Sequence, residues 1–111
     1  MDISDIRTDY VKYGLKRSDL ADNPLDQFSA WFKQAQEAKL PEINAMSLAT
    51  ADAQGQPDVR TVLLKIFDEQ GFVFFTNYKS AKAKQLNENS RAALLFPWLS
   101  LERQVEYQVR W

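Results

Sequence analysis

Apolar residues change their spacing once along this chain. In NPLDQFSAWFKQAQEAKL, Leu25, Phe28, Trp31, Phe32 and Ala35 recur at three- and four-residue intervals. That stripe predicts an amphipathic helix with Asn23 as N-cap, Pro24 at the first helical position and an end near Leu40 and Pro41. After Pro41 the period shortens toward two. Residues 45–52 (AMSLATAD), 58–67 (DVRTVLLKIF), 71–77 (GFVFFTN), 91–98 (RAALLFPW) and 103–111 (RQVEYQVRW) read as five strands. The connections AQGQP and DEQG carry turn residues, and SAKAKQLNEN, introduced by Ser80, reads as a short helix. Strands joined by short turns pair antiparallel. The predicted class is therefore mainly β with helices (α+β): a small antiparallel barrel with a helix packed against it, not a βαβ nucleotide fold. Residues 1–23 are polar with scattered Ile3, Ile6, Tyr10, Tyr13 and Leu15, a spacing that predicts a short helix over residues 4–13.

Two strands carry more than a fold signal. In the last, Val105, Tyr107, Val109 and Trp111 alternate with Gln104, Glu106, Gln108 and Arg110 up to the final residue, so this apolar face is expected to need a further strand or a second subunit as cover. In RTVLLK, Arg60 and Lys65 stand at opposite ends of an apolar run. Five residues apart on a regular strand, they point to opposite sides, so either one is a solvated flank or a bulge brings both toward one ligand.

Composition narrows the chemistry. With 111 residues, 45% of them hydrophobic and 13% aromatic, the chain is one domain with a sizeable core. Its 14 basic and 15 acidic residues leave a formal net charge of -1, so neither nucleic acid nor an anionic membrane is expected as partner, and any anion site is local. There is no cysteine and no histidine. Disulfides, thiol nucleophiles, thiolate metal sites, His-ligated zinc and Ser-His-Asp triads are thereby excluded within this chain, and no metal site is expected. Catalysis, if present, leans on a cofactor. The N-terminus has neither the basic start nor the apolar run of a signal peptide and no segment reaches membrane-spanning length, which points to a cytoplasmic address.

Glycine-rich phosphate loops are also missing, because Gly14, Gly55 and Gly71 lie far apart. Another phosphate cradle uses cations and hydroxyls projected from strands and from a helix N-terminus. Arg60, Lys65, Thr76, Ser80 and Lys82 are its candidates, against the plainer reading of a helix cap and solvated lysines. The acids of the strand region, Asp52, Asp58, Asp68 and Glu69, fall in turns or at strand ends and read as turn chemistry, not as a catalytic carboxylate pair.

The segments RTVLLK, FFTNYKSAKAKQL and RAALLFPWLSLERQV, in this order and spacing, resemble the pyridoxine (pyridoxamine) 5'-phosphate oxidase family. The upstream RTDYVKYGLKRSDLADNPLDQFSAWFKQAQEAKLPEINAMSLATAD is similar to that family's N-terminal region, and LLFPW followed by LERQV is the most specific element. The resemblance implies an FMN-binding split barrel whose two subunits hold FMN at their interface. It implies oxidation of pyridoxine or pyridoxamine 5'-phosphate to pyridoxal 5'-phosphate, with hydride passing to the flavin and O2 as acceptor, and it assigns no catalytic side chain. By the same carry-over, Arg60, Thr61, Val62, Leu63, Leu64 and Lys65 line the flavin and its phosphate. Phe75 and Thr76 match a second FMN element, usually Tyr-Thr, Lys82 a phosphate-binding lysine, and Gln104 a flavin contact supplied across the dimer. Lys65 also matches a substrate-phosphate ligand, and Arg7 to Tyr10 a segment that covers the substrate. Residues 1–23 thus become a substrate-covering segment and residues 24–111 the FMN-binding domain.

Two departures and one limit accompany the resemblance. Ala81 stands where the family commonly has a phosphate-binding Arg, and the covering segment reads Arg7-Thr8-Asp9-Tyr10 in place of Arg-Arg-Glu-Tyr. The first weakens FMN binding unless Lys79 or Lys84 substitutes. The resemblance reaches only the N-terminal half of such an enzyme, so the domain looks truncated at its C-terminal side. The alternatives are a non-catalytic FMN-binding fragment and a related flavin reductase. A heme-handling relative is disfavoured because neither His nor Cys is available as an axial ligand.

Overall fold

Asn23 opens the first helix, its Oδ1 accepting the Leu25 N–H at 2.8 Å with Pro24 following at the first helical position. The computed structural model describes residues 1–6, 17–75 and 80–111. In chain order the elements are a 3-10 turn Arg17–Asp19, α1 Pro24–Glu37, β1 Ala45–Ala51, β2 Pro57–Asp68, β3 Gly71–Phe74, α2 Ala81–Glu88, β4 Arg91–Trp98, a 3-10 turn Leu99–Leu101 and β5 Arg103–Arg110. The helix expected over residues 4–13 lies mostly outside the described residues. Within them, Ser4 and Asp5 form a turn in which Asp2 Oδ1 accepts the Ser4 N–H at 2.9 Å.

α1 stops at Glu37, short of the predicted Leu40. Lys39 takes a left-handed φ of 55°, its N–H bonds Gln36 O at 3.0 Å and the Leu40 N–H returns to Ala35 O at 3.3 Å. This is a Schellman termination built on lysine where glycine is usual, which is why no sequence signal marked it.

The five strands form one antiparallel sheet in the order β3-β2-β1-β4-β5. β2 changes partner along its length: residues 57–63 pair with β1 and residues 64–68 with β3. Asn44 bridges the handover, accepting the Leu64 N–H at 2.8 Å through its carbonyl and donating from its side chain to Leu64 O at 3.1 Å. There the register slips, with Leu64 opposite Phe74 but Ile66 opposite Val73, so Lys65 is the extra residue of a β-bulge. The tight connections match their predicted chemistry: Asp52 Oδ1 accepts the Gln54 and Gln56 N–H groups at 2.9 Å around Gly55, whose φ is 86°.

The sheet curls until its two edge strands meet. Phe72 of β3 lies 5.0 Å from Tyr107 of β5, centroid to centroid, and Phe74 lies 5.9 Å from Trp111. Rings, not backbone hydrogen bonds, close this side, and the result is a split barrel. Phe28 of α1 plugs it. Fully buried, its ring meets Phe67 and Phe72 edge-on at 4.8 and 5.3 Å and Phe96 at 4.9 Å. Tyr107 Oη donates to Pro24 O at 2.8 Å, and Trp98 Nε1 donates to Ile43 O at 3.1 Å, so the polar tips of two core aromatics fix the start of α1 and the segment that leaves it. Arg103 extends the clamp, stacking 4.8 Å over Trp31 and donating to Gln34 Oε1 at 2.7 Å. α2 packs separately, burying Ala83 and Leu86 beside β1.

One expectation is corrected for three of its four residues: Val105 is buried and Tyr107 and Val109 pack on the core, covered by α1 and the opposite sheet edge of the same chain, while Trp111 keeps 54% of its surface exposed. Val59 (62% exposed), Leu63, Ile66 and Val73 are further exposed apolar side chains.

Two outcomes follow for stability. Phe28→Ala removes the plug and should cost about 3–5 kcal/mol, read from urea denaturation, whereas Leu20→Ala at an exposed position should cost little. Burial raises the Tyr107 phenol above its ordinary 10.0, so the folded chain keeps that proton to higher pH than the unfolded one. The corresponding stability is complete below pH 10.0 and is lost as pH rises through the folded value. Tyr107→Phe should give a flatter alkaline stability profile, and an unchanged profile would rule this linkage out.

Candidate functional site

The run Arg60 to Lys65 divides between two sides of β2. Arg60 and Val62 are half-buried and Leu64 is buried, while Thr61, Leu63 and Lys65 are exposed. The bulge does not bring the two cations together. Phe67 resumes the inward set after it, while both Lys65 and Ile66 remain exposed.

Arg60 is neither a solvated flank nor an open fork. Its Nη1 donates to Leu48 O at 3.1 Å and to Thr50 Oγ1 at 2.7 Å. Its Nη2 donates to Gln85 Oε1 at 3.0 Å and lies 3.3 Å from Asp58 Oδ2. The Thr50 hydroxyl, from a residue only 4% exposed, also donates to Gln85 Oε1. A closed triangle of Arg60, Thr50 and Gln85 therefore ties β2, β1 and α2 together. Because the Gln85 carbonyl accepts from both neighbours, its amide nitrogen is turned away from the triangle. The Arg60 side chain keeps 21% of its surface and Asp58 keeps 50%, so the Asp58 edge is the solvent side of the guanidinium.

α2 adds the rest of an anion cradle. Ser80 is its N-cap, with Oγ accepting the Ala83 N–H at 3.3 Å. First-turn N–H groups of a helix have no intrahelical partner, and the helix dipole favours an anion there. Lys82 is half-buried and sits three residues before Gln85, which places it on the helix face that meets Arg60. Arg60 and α2, which carries Lys82 and an N-terminus with unpaired N–H groups, meet through Gln85, and a guanidinium, an ammonium and a helix N-terminus are donor types that suit a phosphate monoester such as that of FMN. Lys84, the suggested substitute for the arginine replaced by Ala81, is exposed.

Other sequence candidates are dispersed. Phe75 follows β3 with 74% of its surface exposed. Gln104 is exposed at the start of β5, opposite Pro97, beside a shallow pocket of about 230 Å³ with Leu99, Glu102 and Arg103. Its side chain is exposed, whereas that of Arg60 is turned to Leu48, Thr50 and Gln85. Arg7, Tyr10, Thr76 and Lys79 lie outside the described residues. A cavity of about 560 Å³ lies elsewhere, between Ala49, Ala51, Ala93 and the cross-strand pair Arg91 and Arg110. No cluster of acidic ligands able to hold a metal ion occurs among the described residues.

Sequence reasoning missed Thr50, Gln85 and Asp58 as partners of Arg60. Asp58 carried a usable signal, since residues two apart on a strand share a side. Gln85 carried none, because its contact depends on how α2 docks.

Comparisons with known proteins agree with the fold. A family model described as Pyridoxamine 5'-phosphate oxidase matches residues 32–110. Relatives named pyridoxine/pyridoxamine 5'-phosphate oxidase include those of Crocosphaera subtropica, 63% identical over 108 residues, and Aliarcobacter butzleri, 59% identical over 108 residues. Each alignment covers 97% of this chain but only 50% and 51% of the relative, so the chain spans about half the length of the curated relatives it matches. Among solved structures, PhzG from Burkholderia lata in complex with tetrahydrophenazine-1-carboxylic acid superposes with a TM-score of 0.80 at 27% identity, over 84% of this chain and 46% of that one. A pyridoxamine 5'-phosphate oxidase-related, FMN binding protein from Nostoc punctiforme superposes with a TM-score of 0.68 at 22% identity, over 82% and 47%, and shares the fold. With a family model spanning most of its length and a split barrel to match, the chain belongs to the pyridoxamine 5'-phosphate oxidase family.

Proposed function

We propose that this chain supplies the flavin-binding half of an FMN-dependent oxidase converting pyridoxine or pyridoxamine 5'-phosphate to pyridoxal 5'-phosphate with O2 as acceptor. The observation that carries the reading is the contact of Arg60 with Gln85 of α2, the helix that bears Lys82 and the Ser80-capped N-terminus, in a chain of this family. FMN, when bound, supplies the hydride-accepting chemistry. The chain's own residues bind and orient. Arg60, Lys82 and the α2 N-terminus hold the cofactor phosphate, and Thr61 to Leu64 and Phe75 to Thr76 border the flavin. Lys65, exposed at the bulge, is free to take a different phosphate, that of the substrate. Residues 1–23, with Arg7 and Tyr10, cover that substrate.

The assembly in this reading is a cytoplasmic homodimer. A flavin touching both Gln104 and Arg60 draws them from two copies, and the exposed Val59 and Leu63 offer apolar surface for the contact. No helix among the described residues is long and apolar enough to cross a membrane. A second reading, an FMN-binding fragment without turnover, is favoured by one observation: the chain spans half of its relatives' length.

Incubation of the chain with FMN and pyridoxine 5'-phosphate in air separates these readings. Formation of pyridoxal 5'-phosphate is expected for the oxidase, flavin retention without product supports the fragment, and absence of flavin binding overturns both. Within the oxidase reading, Lys65→Ala should raise KM for the phosphorylated substrate by roughly tenfold or more while FMN retention stays unchanged, since an interaction remote from the reacting carbon acts as uniform binding. Equal loss of both ligands would mean that the two phosphates share one site.

A further inference from the structure

The guanidinium of Arg60 is held on three sides by Leu48 O, Thr50 Oγ1 and Gln85 Oε1, and on the fourth, solvent-facing side by the half-exposed carboxylate of Asp58. Asp58 is half-exposed near the start of β2, and its Oδ1 accepts the N–H of its own neighbour Val59 at 2.9 Å. The other oxygen, Oδ2, is 3.3 Å from Arg60 Nη2 on the solvent side. We propose that Asp58 is an internal stand-in for the ligand phosphate, an affinity-determining residue whose carboxylate occupies the open edge of Arg60 until an anion displaces it. The inference rests on the phosphate-cradle reading of Arg60 and Lys82.

The chemistry supports exchange over a permanent pair. A carboxylate and a phosphate present the same kind of oxygen acceptor to a guanidinium edge, so they compete for the same N–H groups. An ion pair this exposed is weak and screened by salt, whereas a phosphate in the cradle gains Arg60, Lys82 and the α2 N-terminus together. Thr50 and Gln85 keep the guanidinium aimed during the exchange, so only Asp58 has to leave. Once displaced, its charge remains close to the phosphate and opposes it. Asp58 therefore lowers affinity twice, by competition before binding and by repulsion after it.

Asp58→Asn retains an oxygen for the Val59 N–H and removes only the charge. Titrations of the full chain with FMN and with riboflavin, which lacks the phosphate, read the effect. Asp58→Asn should bind FMN about fivefold more tightly than the unaltered chain, as expected for loss of one exposed charge contact, with riboflavin affinity unchanged. The FMN advantage should shrink as salt is raised. Equal or weaker FMN binding by Asp58→Asn, or an equal gain for riboflavin, overturns the inference. If the unaltered chain binds no FMN, the flavin reading has failed and inorganic phosphate takes its place as probe. A larger thermal stabilisation by phosphate in Asp58→Asn then sustains the role of Asp58, and an equal one overturns it. Asp58→Ser serves as the second variant and should behave alike.

Discussion

The fold depends on one ring. An open five-stranded sheet has two edges, and here they are drawn together by aromatic side chains from β3 and β5 with no backbone ladder between them. Phe28 occupies the space that this curl encloses, touching rings from β2, β3, β4 and β5 at once. Its burial is non-directional, but the tilted and edge-on ring contacts are not, and they set how far the sheet curls. The hydrogen bond from Tyr107 to Pro24 then fixes where α1 begins relative to β5. A helix and a sheet that are separate in sequence become one rigid unit through this cluster.

The opposite end of β2 uses polar contacts for the same purpose. A half-buried guanidinium would be costly if its N–H groups lacked partners, and the carbonyl of Leu48, the hydroxyl of Thr50 and the amide of Gln85 remove that cost. The arrangement also docks α2, the helix that carries Lys82, against the strand that carries Arg60. The structural role of Arg60 is thus complete in the chain itself, and any anion it binds is met by a guanidinium already aimed by Thr50 and Gln85.

Much of this was legible in the sequence, for local reasons. The 3.6-residue stripe of α1, the Asn23 cap, the alternation of β4 and β5 and the Ser80 cap all depend on neighbours within a few residues, and their positions agree with the structure to within a few residues. What was illegible depends on long-range geometry. The same alternation in Val105, Tyr107 and Val109 that identified a strand could not say that β3 and α1 would cover it. The lysine at the helix end and the extra residue in β2 break rules that usually carry a glycine or a turn signal, and although a bulge was one of two readings open for RTVLLK, nothing local placed it at Lys65. At the cradle, the residue types were readable, but the partnership of Arg60 with Gln85 spans 25 positions and exists only after α2 docks.

The bulge at Lys65 acts on the strand as a phase shift. Upstream of it, inward positions are even-numbered, Arg60, Val62 and Leu64; downstream, the inward position is odd-numbered Phe67. A side chain at 65 therefore sits at the seam between two parities and belongs to neither hydrophobic set, which leaves it able to be long and charged without disturbing the core. Deleting one residue at the seam would only remove the bulge, with Ile66 following Leu64 opposite Val73 and Phe67 still inward. Inserting another would leave the upstream half in step with β1 and force the downstream half either to turn Phe67 outward, away from Phe28, or to slide against β3. Added length at this point of the chain is thus under tighter constraint than identity.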